Sequence, residues 1–135
     1  MAQGRRGGQL YGETRLAALE RYLLRRRVSI VRNADEFLHS RRANSLFRAF
    51  NDGSATVYLR ANPTRYEVLH ELQHYVDFRN IGRSRSAWTR WGVIAQEQSV
   101  YRALHRNRSW ARFTQQEHDH AFEYILRIGG NPFDW

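Results

Sequence analysis

The chain has 135 residues, enough for one domain with a genuine core. Hydrophobic residues make up 41% and aromatics 13%, which excludes a disordered composition, and the absence of cysteine excludes disulfides and thiolate metal sites, so any metal must be held by His, Asp or Glu. The net charge is +9 and all 22 basic residues are arginine; this surplus suits nucleic acid, an anionic membrane or an acidic partner, and equally a solvated basic surface, because the arginines spread along the whole chain.

Residues 1–12 read as a flexible, glycine-rich lead-in, and residues 13–135 as a single domain. The polar start does not read as a signal peptide, and no stretch approaches the ~18 apolar residues of a membrane span. Thr14 is placed to cap a helix over residues 15–27, with Leu16, Leu19 and Leu23 at helical spacing and three arginines at its end. Val28 to Val31 is a strand candidate, and a short helix is expected over residues 34–41. Leu46 to Phe50 and Ala55 to Arg60 flank the turn-forming Asn51-Asp52-Gly53-Ser54, which predicts a hairpin. Asn62-Pro63 then opens a helix reaching about Asn80 and stopping near Gly82. Residues 82–91 read as a polar loop, followed by helices over about 92–106 and 115–128, the last ended by Gly129-Gly130. The expected fold is α+β and mostly helical, with a hairpin or small sheet before the helix of residues 62–80.

That helix carries His70-Glu71-Leu72-Gln73-His74, an H-E-x-x-H pattern. Residues at i and i+4 lie one above the other, so both imidazoles can reach one ion. Glu71 is rotated aside, within reach of a water on a zinc ion, where it can serve as general base. At this composition the pattern is expected about 0.015 times by chance, so the spacing carries weight. Asp77, three residues past His74, could orient a ligand histidine or be a surface carboxylate.

A catalytic zinc site needs a third protein ligand. A histidine six residues past His74 would supply one, but that position is Asn80. Glu97 is the better candidate, because Val93, Val100, Tyr101 and Leu104 surround it at helical spacing and suggest that it points inward. An ion pair with Arg90 is the competing account of Glu97. His118 and His120 form a secondary cluster at the start of the last helix, and His39 and His105 read as surface or packing residues. Tyr101, one turn beyond Glu97, could donate to an oxyanion or simply pack in the core.

From Ala55 to Leu104 the sequence resembles the small zincin-like metallopeptidase domains found as C-terminal toxins in bacterial polymorphic toxin systems. The resemblance rests on the strand Val57-Tyr58-Leu59-Arg60, the His70–His74 motif and the helix Gln96-Glu97-Gln98-Ser99-Val100-Tyr101. It implies one Zn2+ per chain held by His70, His74 and Glu97, with Glu71 as base. It also implies a protein or peptide substrate, an immunity protein as a companion, and delivery as a secreted or injected effector; action in the cytoplasm of the producing cell is the alternative. Two other functions stand beside it. One is a regulatory peptidase that cleaves a bound repressor. The other is a non-catalytic, nucleic-acid-binding module with a structural metal completed by His118 or His120.

Overall fold

The computed structural model describes residues 3–135. Its three strands form one small sheet, and six α-helices make up most of the rest: the mixed, mostly helical architecture expected from the sequence. In chain order they are α1 (Glu13–Leu24), β1 (Val28–Val31), α2 (Asp35–Ser40), β2 (Ser45–Ala49), β3 (Ala55–Leu59), α3 (Arg65–Asn80), α4 (Arg85–Trp91), α5 (Val93–Arg106) and α6 (Gln115–Ile128).

The sheet order is β1-β3-β2. The hairpin pairs β2 antiparallel to β3 with Phe47 opposite Val57, while β1 joins the other side of β3 in parallel, Val28 opposite Ala55. Along β3 the side chains alternate: Ala55, Val57 and Leu59 are buried and Thr56 and Tyr58 less so, the period-2 pattern of a strand with one core face.

Helix α3 sits between two cores. On one side Val68, Tyr75 and Phe78 pack with Leu16 and Leu23 of α1, Val28, Ile30, Val57 and Leu59 of the sheet, and Trp88 of α4. On the other, Tyr66 packs with Val100, Tyr101 and Leu104 of α5, Phe113, and Ala121 and Ile125 of α6. A helix apolar on opposite sides is fixed in rotation as well as in position, which suits a helix that must aim side chains.

Several expected boundaries differ. Helix α1 starts after Gly12, whose φ of 95° breaks the extended lead-in, so Thr14 lies inside the first turn and caps nothing. The arginines 25–27 fall beyond its end, in a turn closed by Arg26 and Arg27 backbone bonds to Leu23 and Leu24. The cap of α3 is Thr64, not Asn62. Thr64 Oγ1 accepts from Glu67 N at 3.2 Å and Glu67 Oε1 accepts from Thr64 N at 2.9 Å, a reciprocal capping box. The loop expected over residues 82–91 contains α4. Ser84 caps it through Ala87 N, and Trp88 is its sole buried residue, so no apolar period betrays it. Gly92, at φ 89°, allows the direct turn from α4 into α5.

The expected lead-in is laid against the domain from Gln3 onward. Tyr11 N bonds to Pro63 O at 3.0 Å, Arg65 N to Gln9 O at 2.8 Å, and Thr114 Oγ1 donates to Arg6 O at 2.8 Å. Gly8 runs so close to α6 that a Cβ there would come within 2.3 Å of Glu117 Oε2.

Candidate metal centre

His70, Glu71 and His74 lie on α3 at the floor of a groove, His70 partly exposed and Glu71 and His74 buried. Their ligand atoms come within 4.8 Å of one another. The imidazoles are 5.0 Å apart and nearly perpendicular. Phe47 of β2 and Trp88 of α4 pack against the His74 ring, with centroids at 5.9 and 5.7 Å, and fix its plane.

Glu97 reaches across from α5. Its Oε2 lies 3.0 Å from His70 Nε2 and its Oε1 lies 3.1 Å from His74 Nε2. The carboxylate thus bridges the two nitrogens that the motif aims outward. The inward orientation of Glu97 expected from its neighbours is present, with its side chain 13% exposed. Val93, however, is 62% exposed and belongs to the groove rim; Val100, Tyr101 and Leu104 supply the burial. Arg90 is exposed on α4 and forms no ion pair with Glu97 among the described residues.

Glu71 is turned differently. It is buried, and its Oε2 accepts a short hydrogen bond from Ser45 Oγ at the start of β2. The two carboxylates are therefore distinguished by their partners: Glu97 faces both imidazole Nε2 atoms, and Glu71 faces the edge strand. Ser45 escaped sequence reading because nothing in a lone serine 26 residues upstream marks it.

The site is electrostatically tense. Burial disfavours a charged His70, but Glu97 and Glu71 outweigh it and raise its pKa to about 9. Burial would likewise raise Glu97, yet His70 and His74 hold it well below the ordinary carboxylate range. Two buried atoms here lack an aligned hydrogen-bond partner among the described residues, Glu97 Oε2 and His74 Nδ1.

The remaining expected residues take other positions. Tyr101 is buried and its hydroxyl donates to Pro132 O at 2.7 Å, so it is engaged in the core and not in the groove. The phenol on the groove wall beside His70 is Tyr124 of α6, at 6.5 Å between ring centroids. Burial, with Glu97 and Glu71 beside it, pushes the Tyr124 phenol above its usual value. Asp77 Oδ1 accepts from Gln73 Nε2 at 3.0 Å and does not bond His74. His118 Nε2 is 2.7 Å from Trp110 O, and His120 Nδ1 is 3.0 Å from Tyr66 OH, so neither joins the cluster. His105 stacks between Trp110 and Trp135, and His39 is exposed.

The model of the metallopeptidase toxin 4 family matches residues 5–130. The chain belongs to that family. The match takes in every strand and every α-helix, so the metallopeptidase toxin 4 assignment covers the candidate centre and the groove above it. No curated protein and no solved structure matches the chain. As a metallopeptidase toxin the domain implies a metal ion, a protein substrate and delivery to target cells as an effector. Among the described residues no helix is long and apolar enough to cross a membrane.

Proposed function

We propose that this domain is a zinc endopeptidase that acts as a bacterial effector toxin, with His70, His74 and Glu97 as the metal ligands and Glu71 as general base. The observation that carries the reading is the Glu97 carboxylate lying between the two Nε2 atoms at 3.0 and 3.1 Å. His70, His74 and Glu97 would hold the ion, their nitrogen and oxygen atoms facing one another across the site. Two imidazoles and a carboxylate are a donor set that zinc favours, and three protein ligands leave a position for chemistry.

When bound, zinc supplies a Lewis acid and a water acidified to near neutrality. Glu71 takes the proton from the attacking water and passes it to the departing amine. Ser45 holds the Glu71 carboxylate in one rotamer, so the oxygen that bonds Ser45 is fixed and the other is free to face the groove. Tyr124, kept protonated by its surroundings, donates toward the carbonyl oxygen as negative charge develops there.

The test is metal analysis with cleavage. Purified protein should hold about one zinc per chain, and His70→Ala and His74→Ala should hold none. Equal zinc in all three proteins would sink the site. Cell killing, and its suppression by co-expression of a neighbouring immunity gene, tests the toxin half.

A further inference from the structure

The groove above the candidate centre has a volume of about 430 Å³, and its lining combines arginines with an apolar wall. Arg41 and Arg42, between α2 and the start of β2, line the groove, and so does Arg127 of α6. All three are exposed, and none is in an ion pair among the described residues. Arg41 lies over the Phe37 ring and Arg127 over the Tyr124 ring, which holds both guanidinium groups against the protein surface. None of the carboxylates lining the groove forms an ion pair with them among the described residues. Glu67 is committed to the α3 capping box, Glu71 to Ser45 and Glu97 to the two histidines.

Beyond Ser45 the character changes. Phe47 and Trp88 form an edge-to-face pair at 5.4 Å, and Val93, 62% exposed at the start of α5, extends that apolar wall. Gln96 Nε2 bonds Trp88 O at 2.7 Å and fixes the wall in place. From the end of α2 into β2, then, the order is Arg41 and Arg42, Ser45 by Glu71, and Phe47 by His74.

Building on the peptidase reading, we infer that Arg41 and Arg42 select a substrate segment that is acidic on one side of the cut and carries a large apolar residue on the other. Free guanidinium groups reward carboxylates that arrive with the substrate, and the Phe47–Trp88–Val93 wall rewards apolar area removed from water. A strongly basic segment would meet like charges at these arginines.

The experiment uses fluorescein-labelled ten-residue peptides with a central Phe-Leu pair. Three residues on one side are all Glu, all Gln or all Arg, and each set is made in both orientations. Binding is measured by anisotropy at about 150 mM salt on the zinc-loaded Glu71→Gln protein, and cleavage is measured with the wild type. Expected is at least a tenfold preference for Glu over Gln in one orientation. Combined Arg41→Gln and Arg42→Gln should abolish it, and the two Glu replacements should turn it toward the Arg peptide. Arg21→Glu, on the exposed side of α1, should leave it unchanged. Equal binding of Glu and Gln peptides, or an equal effect of Arg21→Glu through net charge alone, overturns the inference. Selective binding without cleavage by the zinc-loaded wild type supports the inference and counts against the peptidase reading instead.

Discussion

Ser45 and Glu71 stand 26 residues apart in sequence and are joined by a short hydrogen bond from the serine hydroxyl to the carboxylate. This contact ties the catalytic candidate on α3 to the outer strand of the sheet. It also gives Glu71 a partner different from those of Glu97, which faces the two histidines.

Glu71→Gln should retain about one zinc per chain and lose activity by at least 10²-fold, because an amide cannot accept the proton of the attacking water. Ser45→Ala should retain zinc and lose a smaller factor, roughly tenfold in kcat, since only the orientation of the base is relaxed. Peptide cleavage with parallel metal analysis reads both. Undiminished turnover in Glu71→Gln would show that the base is another group.

Glu97→Ala should lower zinc content without unfolding the domain, because α5 keeps its buried Val100, Tyr101 and Leu104. Glu97→Gln should bind zinc weakly, having an oxygen to offer but no charge. Circular dichroism checks the helix and calorimetry the affinity. Zinc affinity equal to wild type in Glu97→Ala would place the third ligand elsewhere.

The motif and the inward aim of Glu97 were legible because helical spacing reports them directly. Val100 and Leu104 marked the buried face correctly, whereas Val93 did not: the first turn of α5 stands on the groove rim, where an apolar side chain faces outward. Periodicity could not choose between Tyr101 and Tyr124, since each lies on an amphipathic helix and only the packing of α6 over α5 decides which phenol meets the groove. The strands were legible one by one. Their order was not, because β1 enters beside β3 in parallel through tertiary packing that local pattern does not encode. Helix α4 was hidden in a polar stretch held by one tryptophan.

The pH dependence follows from His70 and Glu97. In metal-free protein the His70 pKa is raised from 6.5 to about 9, so its contribution to stability is complete below about 6.5 and lost as pH rises through 9. Glu97 is lowered from 4.5, so its contribution is present above that value and lost as pH falls further. The Tm of metal-free protein should therefore be highest between about pH 5 and 6.5. Zinc must displace the His70 proton, so its affinity should rise about tenfold per pH unit from 7 to 9, with about one proton released per ion. A pH-independent zinc affinity over that range would contradict the charged His70.

The two tyrosines give the sharpest contrast. Tyr101 donates to Pro132 O from a buried position, so Tyr101→Phe leaves that carbonyl without its donor and should cost about 1–2 kcal/mol of stability, with kcat unchanged. Tyr124 lines the groove beside His70, and its phenol is held protonated by burial and by Glu97 and Glu71. A protonated phenol there can turn its hydrogen from Glu97 to a carbonyl oxygen that gains charge during attack. Tyr124→Phe should accordingly keep its zinc and its Tm and lose about 10²-fold in kcat, with KM little changed, the signature of a contact made in the transition state. Thermal unfolding and steady-state kinetics on the pair separate the roles. If Tyr101→Phe lost kcat at unchanged Tm while Tyr124→Phe did not, the donor would have to reach the groove from α5, and the bond between Tyr101 and Pro132 would have to open during the reaction.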